Sequence, residues 1–492
     1  MKFKVYKDGK IVEKFELCGA YLFGADSIAF RTAAELSFHK GIIECKKRSP
    51  EAAGMALLWP IEGFGRIHLP TTRLPERERP YILNVELARA KLMQITIKRE
   101  DWSVFEEKEE LTDIVREAMN LFVEALQNIS DESKASSFAD ESLKKAVVFS
   151  EQLTTRHAEL LFNARRKNRG LGRHCLGCCI NTDQLKNAEY LKRLLTLFGF
   201  VTIPINWAKI EPREGECDFS MIDRCFEMLG RRKLAISAGP LLRFSKEWLP
   251  KWLINEEAGF EKIREAAYKF VSTLVSRYAK HVHSWRVVGG INALNYFGFR
   301  FEQILEMTRA ASLAARAADP RSLKIIEIVQ PWGEYYAFTP ETIPPLVYAD
   351  IVTQSGINFD AFGLEMCFGK NQMGMHVRDM MDISAMLDRL AALNKPAHIT
   401  SVAVPDRPGK DSHDGEVAGV WHKPWSTSVQ AQWIEQFYKI ALGKPFINTV
   451  TYYELADENI RETIGYGLLD EHLKPKESYF ALSKLQKHIL NR

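Results

Sequence analysis

The feature that most restricts the fold of this chain is a regular alternation of short apolar runs with longer amphipathic runs, from about residue 171 onward. The longer runs repeat apolar residues every three or four positions, as a helix packed on one face does, for example in Asp183–Leu197, Phe260–Ala279, Phe301–Ala317 and Val377–Leu393. The short runs have the length of buried strands. They are Leu176–Ile180, Phe200–Ile205, Leu234–Pro240, Ser284–Val288, Leu323–Val329, Phe359–Glu365, Pro396–Val402 and Phe446–Tyr452.

Eight strand–helix units predict an α/β fold, a (β/α)₈ (TIM) barrel over residues 171–492. A doubly wound parallel sheet is the alternative, but such a sheet does not need eight units. In a (β/α)₈ barrel the chemistry lies at the C-terminal ends of the strands, so candidate functional residues are sought there.

Residues 1–105 follow a different pattern, in which short alternating runs such as Ala33–Cys45 and Ile82–Glu86 are separated by Gly, Pro and charged turns. This pattern predicts a small β-rich, sandwich-like domain, for which we consider a carbohydrate-binding role. Apolar residues return at helical spacing in Leu111–Leu126 and again from Ser137 to Asn168. Residues 106–170 are therefore predicted to form a helical connector.

Composition and charge limit the partners. The 492 residues exceed one ordinary core, and 46% hydrophobic with 26% charged residues is typical of a soluble globular protein. The net charge of +4 is small and no dense Lys/Arg stripe occurs, so nucleic acid is not an expected partner. No export signal and no apolar run of about 18 residues is present, so we expect a cytoplasmic protein without a membrane partner.

The cysteines offer one metal-site alternative. Cys175, Cys178 and Cys179 resemble half of a zinc site, but no second Cys-x-x-Cys pair follows among the eight cysteines. We interpret the segment as a buried strand of small residues and expect no metal or other cofactor.

Five segments of the predicted barrel, all in register, resemble glycoside hydrolase family 10, the xylanase family. The resemblance is carried by Ile210–Phe219 with the preceding Trp207, Trp248–Leu253, Trp285–Val288, Pro396–Thr400 and Gly467–Leu482. It implies the barrel fold and an activity on O-glycosidic bonds of a poly- or oligosaccharide. It also implies two catalytic glutamates, a general acid/base and a nucleophile, with carboxyl groups about 5–5.5 Å apart.

Both glutamates are missing. The acid/base position of the strand-four motif W-D-V-V-N-E falls on Gly290, and the nucleophile position of the strand-seven motif falls on Ser401. Glycine has no functional group, and a serine needs its own general base before it can attack. The family's sugar-holding motifs E-N-x-x-K, W-H-S and Q-x-H are replaced by Thr202–Asn206, Arg243–Ser245 and Glu365–Cys367.

Other acidic residues near predicted strand ends are candidate replacements, among them Glu327, Glu334 and Asp457. We predict Glu365 and Glu454 as the catalytic pair, because strands six and eight flank the vacant strand-seven position. One carboxyl group would be kept protonated by burial while the other is ionised. The alternative for each is a salt-bridged or solvated loop carboxylate.

Aromatic, amide and acidic side chains near the strand ends are candidates for sugar binding, since aromatic rings stack on sugar C–H faces and polar groups bind the hydroxyls. Barrel packing is the alternative for the aromatic residues. The predicted substrate-binding residues are Trp207, Trp285, Asn292, Asn295, Trp332, Glu334, Tyr453, Trp421 and Trp425.

The last two tryptophans lie in a long loop after strand seven, Pro405–Trp425, whose length is typical of lids and binding loops. His413 and His422 are the imidazoles of this loop, and we interpret them as exposed rather than catalytic.

Two functions follow from these observations. The first is a carbohydrate-active protein that hydrolyses a glycosidic bond with non-standard carboxylates. The second is a catalytically inactive protein that binds a saccharide or a protein partner, which the loss of both glutamates favours. The sequence leaves the sugar, the linkage and the oligomeric state open.

Overall fold

The computed structural model describes residues 1–31, 35–102, 109–232, 234–255, 258–370, 373–408, 418–458 and 465–491. Eight parallel strands close into a barrel in chain order. They are β10 (Leu176–Cys179), β11 (Phe200–Ile203), β12 (Ala235–Ala238), β13 (Ser284–Gly289), β14 (Leu323–Val329), β15 (Ala361–Cys367), β16 (Ala397–Ala403) and β18 (Ile447–Tyr452). Each predicted strand is present with its ends shifted by at most two residues, which confirms the predicted (β/α)₈ fold.

Helices surround the barrel and bury one face each. In the helix Ala188–Leu197, for example, the buried residues Tyr190, Leu191, Leu194 and Leu197 recur every three or four positions. The barrel helices are α4 (Ala188–Leu197), α5 (Trp207–Ile210), α6 (Ser220–Gly230), α7 (Lys251–Asn255), α8 (Phe260–Tyr278), α9 (Phe301–Ala318), α10 (Pro345–Gln354), α11 (Met380–Ala391), α12 (Thr427–Gly443) and α13 (Glu477–Leu490). In the described part of the chain, none of the helices combines the length and apolar character that crossing a membrane requires.

The N-terminal region is β-rich, as predicted. It has two four-stranded sheets, of order β5-β6-β1-β9 and β17-β8-β7-β4, and a two-stranded ribbon, β2-β3. Its strands are β1 (Lys2–Lys4), β2 (Tyr6–Lys7), β3 (Lys10–Ile11), β4 (Tyr21–Phe23), β5 (Glu35–His39), β6 (Ile42–Lys46), β7 (Gly54–Ile61), β8 (Gly65–Pro70) and β9 (Tyr81–Ile82). The remaining strand, β17 (Val420–Trp421), comes from the loop after β16.

Two predicted strand runs of this region need correction. The run Ala33–Cys45 is two strands, because Lys40 and Gly41 both have positive φ and form a hairpin turn. The run Ile82–Glu86 is a strand only to Ile82, after which the helix α1 (Leu83–Asp101) begins. Residues 83–88 are all buried, so this part of the helix shows no amphipathic period, and its first turn reads like a strand.

Three helices connect the N-terminal strands to the barrel: α1, α2 (Glu109–Gln127) and α3 (Glu132–Lys167). A buried ion pair joins α1 to the start of α11, with Lys91 Nζ 2.8 Å from Asp379 Oδ1. Glu151 of α3 accepts a hydrogen bond from the Met380 amide at 2.8 Å, also at the start of α11. The N-terminal end of α11 is therefore fixed by both connecting helices.

A strand from the barrel completes one N-terminal sheet. Val420 pairs with Arg66 and Trp421 with Gly65 in an antiparallel ladder between β17 and β8. Gly65 has φ +114°, and a Cβ there would lie 2.3 Å from the Val420 carbonyl oxygen, so only glycine permits this approach. The Trp421 indole donates to Glu151 of α3 at 3.3 Å. The loop after β16 thus contacts the N-terminal sheet and the connecting helices.

Candidate functional site

The barrel mouth, meaning the C-terminal ends of the eight strands and the residues directly after them, has been rebuilt where the family's acid/base would stand. A Cβ at Gly289 would lie 2.8 Å from Glu327 Oε2, and one at Gly290 would lie 2.7 Å from both methyl carbons of Val329. Gly290 also has φ +68°, which residues with a side chain rarely adopt. This backbone has no space for a glutamate side chain at position 290.

A buried ion pair lies beside this turn. Arg286 Nη1 donates to Glu327 Oε1 at 2.8 Å, and its other terminal nitrogen donates to the Gly239 carbonyl oxygen. Glu327 is fully buried and the Arg286 side chain is 8% exposed. Glu327, one of the acids that follow from the sequence, is therefore an internal partner of Arg286 rather than an open carboxylate.

The vacant nucleophile position is also enclosed. Ser401 is buried, and its Oγ lies 3.8 Å from the Sγ of Cys367. Burial and the charge of Glu365 raise the pKa of Cys367 to about 12, so this neighbour is a thiol and not a base. The arrangement gives Ser401 no means of activation at neutral pH.

Glu365, the first predicted catalytic residue, faces Arg243 across the mouth. Arg243 Nη1 is 2.8 Å from Glu365 Oε2, and Nη2 is 3.3 Å from Oε1, so the two side chains form a bidentate pair. Burial alone would raise the pKa of Glu365, but the charge and hydrogen bonds of Arg243, with the charges of Arg286 and Lys370, hold it below its usual value. Glu365 is therefore ionised at neutral pH.

Glu454, the second predicted catalytic residue, has the opposite protonation state. Burial, followed by the negative charges of Asp457 and Glu458, raises the pKa of Glu454 to about 8. The nearby cations Lys476 and Lys370 offset only part of this effect. At neutral pH the Glu454 carboxyl group is mostly protonated and can donate a proton.

The strand register places these two carboxyl groups on either side of strand seven, as the sequence predicts. Glu365 of β15 pairs with Ser401 of β16, and Val402 of β16 pairs with Tyr452 of β18, two residues before Glu454. The Tyr453 amide donates to the Val402 carbonyl at 3.0 Å, while its side chain remains 42% exposed. Burial and the charges of both Glu454 and Glu365 raise the pKa of Tyr453, in keeping with a position between them.

Six of the nine predicted sugar-binding residues are buried, which corrects their assignment. Trp207 Nε1 donates to Glu211 at 2.7 Å, and Trp285 Nε1 donates to Asp319 at 3.2 Å, so both indoles belong to the packing of the barrel. Side chains without an exposed surface offer nothing for a sugar to stack on or bind. The six residues, each 4% exposed or less, are Trp207, Trp285, Asn292, Glu334, Trp421 and Trp425.

The two asparagines hold the loop after β13. Asn292 donates to the Tyr335 hydroxyl at 2.5 Å, and that hydroxyl donates to the Ile343 carbonyl. Asn295 is partly exposed, but its amide nitrogen donates to the carbonyls of Phe299 and Glu341. Both amides are therefore occupied by internal hydrogen bonds.

Trp332 and Glu334 lie at the edge of the mouth that adjoins the N-terminal region. Glu334 forms a buried ion pair with Arg378, whose guanidinium carbon is 4.3 Å from the centre of the Trp332 ring. Trp332 is partly exposed and lines a cleft with the N-terminal residues Ser27 and Ala29. The structure thus separates Trp332 from the Glu365–Glu454 site.

The loop after β16 is only partly visible to this description, since residues 409–417, including His413, lie outside the described residues. Its start is fixed by Lys476, whose Nζ lies 2.7 Å from both Asp406 Oδ2 and Asp457 Oδ2. His422 is partly covered, with its ring centre 4.2 Å from that of Phe64. Among the described residues no group of three His, Cys, Asp or Glu side chains is suited to hold a metal ion.

Sequence reasoning missed the role of Arg243. The signal was available, because the strand-three motif gains a cation at the same time as the strand-six motif gains the acid Glu365. Two opposite charges that appear together at the ends of barrel strands indicate an ion pair across the mouth.

Comparison with known proteins agrees with this barrel. The family model described as glycosyl hydrolase family 10 matches residues 165–485. Endo-1,4-beta-xylanase B of Thermotoga neapolitana is 22% identical over 300 residues, which cover 58% of this chain and 79% of that protein.

Solved structures show the same fold. Native xylanase 10B from Thermotoga maritima is 20% identical with a TM-score of 0.50, and the match covers 64% of this chain and 96% of that one. A family 10 structure from Paenibacillus barcinonensis is 21% identical with a TM-score of 0.50, covering 65% of this chain and 97% of that one. With the family model matching well over half of the sequence, the chain belongs to glycosyl hydrolase family 10.

Proposed function

We propose that this protein hydrolyses a glycosidic bond of a poly- or oligosaccharide bound at the barrel mouth, with Glu454 as the acid and Glu365 as the ionised carboxylate. The observation that carries the proposal is that the surroundings of these two carboxyl groups shift their pKa values in opposite directions. Two carboxyl groups in opposite protonation states at one pH are what glycoside hydrolysis requires.

The roles follow from the protonation states. Glu454 donates its proton to the oxygen of the leaving sugar, and the charge of Glu365 stabilises the positive charge that develops on the sugar ring. Two strand spacings, about 10 Å, separate β15 from β18. Since direct attack needs carboxyl groups only about 5–5.5 Å apart, we favour the inverting course, in which Glu365 activates a water molecule.

Tyr453 supplies the surface on which a sugar ring would rest. Its ring is exposed between the two carboxyl groups, and aromatic faces stack on the C–H faces of sugars. A saccharide ligand also agrees with related barrels, since xylanase 10B from Thermotoga petrophila has been solved with xylobiose. In this chain Arg243 would orient Glu365 and stay clear of the proton transfer.

A second function, saccharide binding without hydrolysis, is favoured by a different observation. The polar side chains near the centre of the mouth pair with one another, Arg243 with Glu365 and Arg286 with Glu327. The glycine pair after β13 also excludes the family's own acid/base. In this alternative the mouth holds a sugar between Tyr453 and the Arg243–Glu365 pair and does no chemistry.

The deciding experiment measures reducing-sugar release from a panel of β- and α-linked glycans. The variants are Glu365→Gln and Glu454→Gln, and the control is Glu265→Gln, an exposed glutamate on α8 away from the mouth. Release that the control retains and both site variants lose supports the proposal. Release that survives both substitutions overturns the assignment of the two residues. No release from the folded protein, together with glycan binding measured by calorimetry, establishes the binding function instead.

A further inference from the structure

A second cleft lies outside the barrel mouth, between the N-terminal region and the outer face of the barrel at α11. It consists of two adjoining cavities of about 410 and 250 Å³, which share Ser27, Trp332 and Arg389 in their walls. We call it the side cleft. Trp332 follows β14 by three residues, so the side cleft begins at the C-terminal rim of the barrel and extends outward.

The walls of the side cleft combine aromatic rings with polar groups that lack partners. Tyr21 and Phe23 of β4 face the cleft from the N-terminal sheet, and Trp332 lines it from the barrel. The atoms His68 Nδ1, Arg378 Nε and Trp332 Nε1 have no hydrogen-bond partner among the described residues. His68 and Arg378 are 1% and 3% exposed, so water in bulk does not satisfy them.

The role of each unpartnered atom can be assigned. His68 Nε2 lies 3.0 Å from the Gly19 carbonyl oxygen, which can only accept, so Nε2 carries the proton and Nδ1 is an acceptor. Burial, and then the charge of Arg378, lower the pKa of His68 well below its usual value, so the ring stays neutral. Arg378 Nε and Trp332 Nε1 are donors. The cleft therefore offers one acceptor and two donors to a ligand.

The charges of the walls are matched internally. Arg378 Nη1 is 2.9 Å from Asp382 Oδ2, and Lys91 Nζ is 2.8 Å from Asp379 Oδ1. A site with paired charges, aromatic rings and free donors and acceptors suits an uncharged ligand with many hydroxyl groups. An ionic ligand would have to break one of these pairs, which is costly when the pair is buried.

We propose that the side cleft is a second saccharide-binding site, which holds a neutral oligosaccharide between the N-terminal sheet and the barrel. The proposal rests on the proposed function only in taking a saccharide as the ligand, because the cleft shares no residue with the Glu365–Glu454 pair. Both the N-terminal region and the barrel contribute walls, so each part is needed for binding. A chain held here at the rim would be kept close to the mouth.

The test is calorimetric binding of xylopentaose, cellopentaose and mannopentaose to the full-length Glu365→Gln/Glu454→Gln protein, which does not consume them. Trp332→Ala should raise the Kd for the bound glycan at least tenfold, and Arg389→Ala, which removes an exposed side chain, at least threefold. Arg309→Ala, an exposed arginine on α9 outside the cleft, should leave the Kd unchanged. Ala385→Trp fills the larger cavity from a partly exposed helix position and should abolish binding at this site.

Two results overturn the proposal: no binding of any of the three glycans, or binding that Arg389→Ala and Ala385→Trp leave intact in folded protein. Sugar release from the unsubstituted protein separates this outcome from failure of the proposed function. Release that persists in Ala385→Trp while glycan affinity is also unchanged removes the side cleft and keeps the hydrolase. Binding lost in Ala385→Trp in a protein that releases no sugar keeps the side cleft and removes the hydrolase.

Discussion

Arg243 and Glu365 form a bidentate ion pair across the barrel mouth, 2.8 Å from Nη1 to Oε2 and 3.3 Å from Nη2 to Oε1. Both residues stand where the family has sugar-holding motifs, so one exchange of charges has changed what the mouth presents to a ligand. The pair keeps a carboxylate ionised in a place where burial alone would protonate it.

Removing the guanidinium should destabilise the fold. We expect Arg243→Met to lower the free energy of unfolding by about 2–4 kcal/mol at pH 7, because it leaves the mostly buried Glu365 without its partner. The double variant Arg243→Met/Glu365→Met should recover most of this loss, since no unpaired charge remains. Urea unfolding measures both, and a single variant as stable as the parent protein would contradict the role of the pair.

The pH profile of hydrolysis should have its alkaline limb near pH 8. Glu454 must be protonated to act as the acid, and its pKa is raised to about 8, so kcat/KM should fall tenfold per pH unit above that value. The acid limb should lie below the ordinary glutamate range, because the pKa of Glu365 is lowered. Glu454→Gln should remove the alkaline limb and lower kcat by about 10²–10⁴. A flat profile from pH 7 to 9.5 is incompatible with this role.

Asp140 should make stability depend on pH in the N-terminal part. Its carboxylate oxygens accept hydrogen bonds from Asn84 Nδ2 at 2.8 and 2.9 Å, and burial, the largest cause, raises its pKa from 3.8 to about 7. The native state therefore holds a proton that the unfolded state releases above pH 4, and stability falls as pH rises from about 4 to 7.

Asp140→Asn should remove this loss, because the amide keeps an acceptor for Asn84 and has no charge. We expect the variant to gain about 1–2 kcal/mol at pH 8 relative to its effect at pH 4, measured by urea unfolding at both values. The exposed Asp113→Asn on α2 is the control and should show no such difference. Equal effects of Asp140→Asn at the two pH values would exclude a raised pKa.

The glycine turn after β13 should resist any side chain. Gly290 and Gly298 both have positive φ, but a Cβ at Gly290 meets Val329 at 2.7 Å, whereas nothing lies within 4 Å of one at Gly298. Gly298→Ala should cost about 1 kcal/mol from backbone strain alone, and Gly290→Ala about 2 kcal/mol more. The double variant Gly290→Ala/Val329→Ala should regain part of the crowding cost. Equal losses at the two glycines would show that crowding has no effect.

The strand pairing of β17 with β8 should depend on Gly65. A side chain at Gly65 would collide with the Val420 carbonyl oxygen, while Gly63, also at positive φ, has open space around its Cβ position. We expect Gly65→Val to speed amide hydrogen exchange of peptides covering residues 418–425 by at least tenfold. Gly63→Ala should leave that exchange unchanged, and the same exchange rate in Gly65→Val would exclude the proposed dependence.

The sequence predicted the barrel well and the ligand contacts poorly, for one physical reason. Strands and helices impose their period on every residue, so the ends of β14 could be read from apolar spacing alone. Exposure at a strand end depends on which other segments cover it. Trp421 and Glu334 were expected to meet a sugar, but α3 and Arg378 cover them. Residues that meet only through the tertiary fold, such as Arg243 and Glu365, leave no periodic signal.

The pairing of β17 with β8 has a consequence for how this architecture can be divided. The barrel supplies the edge strand of a sheet whose other strands precede it in the chain by more than 350 residues. If the two parts were expressed apart, β8 would present an open, unpaired edge to solvent, and such edges promote aggregation. Neither part is then a portable module, and we expect the two to have been inherited and exchanged only as one unit.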